Sequence, residues 1–230
     1  MNDHTAQTII TVSQALAARR SIRGFQPREV APELLEEIFT KANLAPSNCN
    51  TQPWHINVVS GAAREKLEAE LMAGLMQGAQ PQFHFKPGDM DLSGIYKERQ
   101  YDCAMRYYGT MGIERSDRER RNWLMAKNWQ FFGAPHAAFI SMPKSMGEVN
   151  AIDIGIYLQT LMLLLVEYGL ASCPQGALAA FPEPVKAITP IPEGNELIVG
   201  LSFGYEAVGE QINNVIMERA PLADTVTFTR

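Results

Sequence analysis

The chain has 230 residues, 46% of them hydrophobic and 20% charged, with a formal net charge of −5. A chain of this length buries about 70–75% of its unfolded surface and needs no disulfide or metal staple, and its acidic balance argues against bulk nucleic-acid binding. Three widely spaced cysteines (Cys49, Cys103, Cys173) form no CxxC pair and read as free thiols in a reducing, cytoplasmic compartment.

The first ten residues, MNDHTAQTII, show no basic region followed by a sustained apolar core, so no signal peptide is expected. Residues 11–20 carry apolar positions at Val12, Ala15, Leu16 and Ala18 and close on a basic pair, as a short helix does. RRSIRGF follows at 19–25. Two readings fit it: arginines complementing a helix C-terminus, or an anion site in which three guanidinium groups and a hydroxyl form a fork-shaped donor set.

A second helix is expected over 32–44, with Pro32 in its first turn and Leu34, Leu35, Ile38, Phe39 and Ala42 on one face. It runs into APSNCNTQPW at 45–54, where turn chemistry accounts for the Pro, Ser and Asn residues. The density of short polar side chains suits a recognition loop equally well. Residues 54–60 alternate as a strand, 62–76 form an amphipathic helix, and 77–93 make a long polar connection of the kind found in lids and binding loops. Helices are expected over 96–108 and 115–132, the second opening on a solvated charged face, and a strand over 136–142.

The stretch 150–177, NAIDIGIYLQTLMLLLVEYGLASCPQGA, reads as a helix apolar on nearly all sides, stopped at Gly169. Asp153, Gln159 and Glu167 interrupt it, and its unbroken apolar run falls far short of the roughly 20 residues of a membrane span. The Pro-Gln-Gly segment after it reads as a loop presenting backbone to a ligand. A short helix near 183–188 and a strand over 196–205 follow. The tail 206–230 has little core pattern beyond Ile212, Val215, Ile216 and a strand-like run at 225–229.

No dinucleotide, P-loop or serine-hydrolase signature is present. The four histidines (His4, His55, His84, His136) are isolated, so no metal is expected. No nucleophile stands near an obvious base. Catalysis, if any, then rests on a bound cofactor.

Four blocks together, RRSIRGF at 19–25, APSNCNTQPWHINVV at 45–59, IDIGIYLQTLMLLLVEYGLASCPQG at 152–176 and ERAPL at 218–222, resemble the flavin-dependent nitroreductase family, with FFGAPHAAF at 131–139 as a weaker fifth. The resemblance implies an α+β fold: a mixed, mainly antiparallel sheet flanked by helices, in an intertwined homodimer. One domain would span 1–230, with 206–230 an arm onto the partner. It further implies bound FMN, with NADH or NADPH as co-substrate, and ping-pong hydride transfer to a nitroaromatic, quinone or similar small-molecule acceptor. Arg19, Arg20, Ser21, Arg23 and Arg219 would hold the phosphate and ribityl region. Pro46, Ser47, Asn48, Asn50 and Gln52 would reach the flavin from the partner subunit, and Asn128 its pyrimidine edge. Pro174, Gln175 and Gly176 would lie along the isoalloxazine, with the Gly176 amide near N5. Gln175 stands where one subgroup of the family has glutamate. Phe83, Phe85, Tyr96, Tyr107 and Tyr108 are candidate substrate-channel walls. Reductive dehalogenation, flavin fragmentation and a non-catalytic flavin-binding redox module remain open alternatives.

Overall fold

The computed structural model describes residues 10–88 and 91–230; His4 and most of the N-terminal stretch read for a signal peptide lie outside them. Four strands, β1 (His55–Ser60), β2 (His136–Pro143), β3 (Ala171–Gln175) and β4 (Asn195–Gly204), form a sheet in the order β1-β2-β4-β3, all neighbours antiparallel. Among the described residues, the parallel component of the expected mixed sheet is a single bridge, Ser21 to Ser172.

Helices cover both faces: α1 (Val12–Ala18), α2 (Pro32–Ala42), α3 (Gly61–Met76), α4 (Gly94–Thr110), α5 (Arg118–Ala126), α6 (Glu148–Glu167) and α7 (Pro182–Ile188). Because strand side chains alternate, β2 sends Ala137 and Phe139 into the core beneath α3 and α7, and Ala138, Ile140 and Met142 into the core beneath α2 and α6. That explains why HAAFISM is almost continuously apolar: both of its faces are covered. In α6, Ile154, Tyr157, Leu161 and Leu165 are fully buried, and Tyr157 stacks 4.9 Å from Trp54. Gly169, at φ +71°, turns the chain out of the helix so that the Leu170 amide closes on the Leu165 carbonyl.

By length and composition α6 could cross a membrane. Its buried side instead packs on α2, α1 and β3, while Val149 (57% exposed), Ile152 (63%) and Ile156 (37%) form a bare apolar stripe on the other side.

Three expectations need correction. The Pro-Gln-Gly loop is strand as far as Gln175; Pro174 is tolerated because β3 lies at the sheet edge. The helix expected over 115–132 ends at Ala126, and Phe131 and Phe132 then adopt left-handed φ values of 53°. Burial of Trp129, Phe131 and Phe132 favours this kink over a continuous helix that would leave part of the aromatic cluster in solvent. The strand-like run at 225–229 is irregular, following a short turn at Leu222–Asp224.

His136 opens β2 almost without solvent contact. Its Nε2 accepts from the Val30 amide at 2.9 Å, so Nδ1 carries the proton and donates to Ser60 Oγ at 2.5 Å. Burial holds its pKa below the ordinary value, against an opposing pull from Glu29. The folded state therefore keeps a neutral ring where the unfolded chain would take a proton. This contribution is full above about pH 6.5 and falls as pH drops from there toward the lowered folded value. Urea midpoints should decline over that interval more steeply for the wild type than for a folded His136→Gln variant; equal slopes would refute the assignment.

Candidate functional site

The site begins at the end of α1. Thr11 and Gln14 form a reciprocal capping box that fixes where the helix starts, and Arg19 leaves it in an extended conformation. The chain then lies along β3: Ser21 bridges Ser172, and the Ile22 amide donates to the Ser172 carbonyl at 3.0 Å. Ile22 turns into the core, and the neighbouring polar side chains are left to face the opposite side.

Arg19, Arg20, Ser21 and Arg23 line one cavity of about 1120 Å³, closed from the tail by Val215, Met217 and Arg219 and from α4 by Arg99, Asp102 and Cys103. The guanidinium groups are not equivalent. Arg20 donates to the Asn213 carbonyl at 2.6 Å and pairs with Glu206 at 3.1 Å. Arg23 lies 4.8 Å from the Tyr107 ring centre and donates to the Ser21 carbonyl. Asp102 and Glu218 are both drawn to Arg106, at 2.9 and 3.5 Å. Arg219 touches only the Met217 and Glu218 carbonyls, and Arg19 and Arg99 have no ion pair among the described residues. The cavity thus holds positive charge that its own carboxylates do not neutralise. That is the electrostatic requirement for a phosphate.

A second group gathers at the C-terminal end of β3. Pro174 is half-buried, Gln175 is buried and Gly176 is exposed, with nothing within 4 Å of where a Cβ would stand. Gln175 reaches Asn128, joining two residues that are distant in sequence. The bridge from Ser21 to Ser172 ties this group to the arginine segment two residues upstream of Pro174.

The 46–52 loop stands outside the arginine cavity. Pro46, Asn48, Asn50 and Gln52 are exposed and Ser47 is half-buried; none lines the arginine cavity. Cys49, Asn50 and Gln52 have φ of 50°, 55° and 45°, a concentration of left-handed non-glycine residues that must be held in place. Ser47 Oγ accepts from the Gln52 amide at 2.9 Å, and Asp153 of α6 accepts from the Asn48 amide at 3.0 Å. Asp153 is buried with its second carboxylate oxygen unpartnered among the described residues. Asp153→Ala should leave the α6 core packed while releasing the loop, seen as faster amide exchange over 48–52 with little change in melting temperature; unchanged exchange there would exclude the anchor.

The expected channel aromatics do not assemble. Phe83 and Phe85 pack against different cores, Tyr96 is exposed, and Tyr107 and Tyr108 join Ile113, Leu124 and Ile212. The Tyr107 hydroxyl is buried without a partner among the described residues, and burial pushes its pKa up to about 12. Sequence reasoning missed Arg99 and Asn213. Asn213 is buried, accepts from the Arg23 amide at 2.8 Å and donates to the Gly24 carbonyl at 2.9 Å, so it sets the course of the arginine segment. Nothing in the local pattern marks it beyond a polar residue between Ile212 and Val215. Among the described residues no cluster of His, Cys, Asp or Glu could hold a metal, and the cysteines are free.

The chain is similar to known proteins along most of its length. The model of the nitroreductase family matches residues 16–205. The chain is 38% identical to nitroreductase NfnB of Mycolicibacterium smegmatis, over all of both chains, and 35% identical to a 4-nitrobenzoate reductase of Pseudomonas putida, over 89% of each. The crystal structure of the FMN and NADPH-dependent nitroreductase NfnB from Sphigopyxis sp. strain HMH superposes with a TM-score of 0.92 at 32% identity, covering 96% of this chain and all of that one. A shared architecture, together with similarity along nearly the whole length, places this chain in the nitroreductase family.

Proposed function

We propose that the chain is an FMN-dependent NAD(P)H oxidoreductase that reduces nitroaromatic compounds. The observation that carries this reading is the unneutralised guanidinium cavity joined through the Ser21–Ser172 bridge to the open end of β3, in a chain of this family. M. smegmatis NfnB is described as FMN-dependent and in complex with NADPH.

The residues fit a flavin mononucleotide. Arg19 and Arg219 would neutralise its phosphate, with Arg20, Ser21 and Arg23 beside them, and Arg99 adds a sixth polar group of the kind a dianion needs. Gly176 leaves room for a flat ring against the end of β3, where Pro174 and Asn128 flank it. Bound there, FMN would supply two-electron hydride chemistry between a nicotinamide and an acceptor. The protein's part is then to bind, orient and keep the ring face accessible.

The exposed 46–52 loop completes this site only if a second copy supplies it. The bare stripe Val149, Ile152 and Ile156 on α6, next to the Asp153 anchor of that loop, supports a homodimer, as does a tail largely exposed from Ile216 onward with Leu222 and Phe228 bare. The segment before it is docked on its own chain, through Glu206, Ile212, Asn213 and Val215. In this reading 1–230 is one domain, the embracing part of the 206–230 arm is its last fifteen or so residues, and the compartment is cytoplasmic, consistent with three free thiols.

The purified protein should show a flavin absorbance spectrum that bleaches anaerobically with NADH or NADPH and returns on addition of 4-nitrobenzoate or another nitroaromatic, and it should sediment as a dimer. A colourless protein that takes up no added FMN would overturn the reading. Quinones are a further acceptor class to be tried in the same cuvette.

A further inference from the structure

Gln175 is 4% exposed, and its side chain turns away from solvent into the sheet edge. Each polar atom of its amide is committed. Ser202 Oγ donates to Oε1, while Nε2 donates to the Asn128 backbone carbonyl at 2.9 Å and to Asn128 Oδ1 at 3.2 Å. This donor set fixes which way the amide faces, because the reverse orientation would aim a carbonyl at two oxygens of Asn128. The constraint passes on. With Oδ1 taken by Gln175 and one hydrogen of Nδ2 given to the Met125 carbonyl at 2.9 Å, Asn128 keeps one N–H for a ligand.

We infer that Gln175 is a positioning residue that, together with the Met125 carbonyl, holds the polarity of Asn128, so that Asn128 offers its free N–H to a carbonyl on the pyrimidine edge of the flavin. The inference rests on the FMN reading above. It replaces direct contact between the Gln175 side chain and the ring: the backbone of 174–176 borders the ring, and the amide works through its neighbour. The Met125 carbonyl holds the Asn128 amide from its nitrogen and Gln175 holds it from its oxygen, the latter backed by Ser202 of the interior strand β4.

A glutamate here would act differently. A carboxylate has no donor to give, so it would face two Asn128 oxygens at hydrogen-bond distance in a buried site. Both burial and that repulsion raise a carboxyl's pKa. Protonated, it recovers one donor; ionised, it favours an Asn128 turned to present its amide inward and its oxygen to the ligand.

The test is FMN titration of apoprotein, followed by flavin fluorescence and the visible spectrum of the bound form, for the wild type, Gln175→Met, Asn128→Ala, the double variant and Gln175→Glu. Gln175→Met and Asn128→Ala should each weaken FMN about 10-fold, as loss of one net hydrogen bond does, and the double should weaken it about 10-fold rather than 100-fold. Gln175→Glu should bind FMN more weakly at neutral pH and recover toward acid pH, relative to the wild type across the same interval. Thermal melts of the apoproteins identify any variant that has lost its fold, and Gln175→Glu, the closest in shape, then carries the test. Additive losses in the double variant, or a Gln175→Glu pH profile that follows the wild type, would overturn the inference. Wild-type protein that binds no FMN would instead sink the functional reading beneath it.

Discussion

Replacing Arg19 and Arg219 together with alanine is expected to weaken FMN binding by about 10²–10⁴-fold while leaving the melting temperature of the apoprotein within about 2 °C of the wild type. The magnitude follows from two charge-assisted contacts of about 1.5–3 kcal/mol each, at about 1.4 kcal/mol per tenfold change. These two are chosen because neither guanidinium has a carboxylate partner among the described residues, so removing them strips charge from the cavity without orphaning an acid. Arg20 behaves differently. It ties the arginine segment to Glu206 and to the Asn213 carbonyl, so Arg20→Ala should cost about 1 kcal/mol of stability as well as some affinity. Equilibrium dialysis at two salt concentrations checks the first claim: the wild type should lose affinity as salt rises, and the double variant should respond less. Stoichiometric FMN retained by the double variant would remove the phosphate from this cavity.

The contrast between Arg19 and Arg20 also shows what the sequence conveys. Clustered charge in RRSIRGF is visible in one dimension, so an anion site is a legitimate reading of it, but which arginine is free depends on Glu206 and Asn213, nearly two hundred residues away. Arg99 was hidden for the same reason: on a charged helix it looks like any solvated side chain. Asp153 is the sharper lesson. In the sequence it only interrupts an apolar helix and speaks against a membrane span; in the fold it is buried and grips the Asn48 amide, connecting α6 to the loop expected to serve the partner's site.

Elements with strong periodicity were legible. The helices α2 and α6 and the strands β1, β2 and β4 lie within a few residues of their expected bounds, because an amphipathic or doubly buried pattern admits few alternatives; α3 keeps its expected bounds too, although its apolar residues are not gathered on one face as expected. β3 was not. ASCPQ has neither alternation nor branched residues and contains a proline, and it is strand because β4 supplies a ready edge. Likewise FFG was expected to finish a helix, and the aromatic core took precedence over helical continuity. Both failures flank the Gln175–Asn128 contact, so local propensity is least informative where the two segments meet.

The same meeting point sets the second large effect. Gly200 of β4 pairs with Phe139 on one side and Gln175 on the other, which leaves β4 no freedom to slide. A Cβ at Gly200 would stand 2.5 Å from Leu178 Cδ1 and 2.6 Å from Leu178 Cβ. Leu178 is fully buried in the short turn Gly176–Ala179, which begins at the residue meant to border the flavin. Neither side can yield cheaply, since the near atom at 2.6 Å belongs to the root of the leucine and not its flexible end. Gly200→Ala should therefore destabilise by about 1–3 kcal/mol, the usual cost of overpacking, lowering the melting temperature by about 3–10 °C for a chain of this size. Because relief comes most easily by lifting the turn, FMN content should fall as well, further than the stability loss alone explains. Leu178→Ala removes the contact with Cδ1 but keeps the one with Cβ, so Gly200→Ala should still lower the melting temperature in a Leu178→Ala background, by less than it does in the wild type. If Gly200→Ala melts with the wild type and keeps its FMN, the close approach of β4 to the turn does not constrain the site.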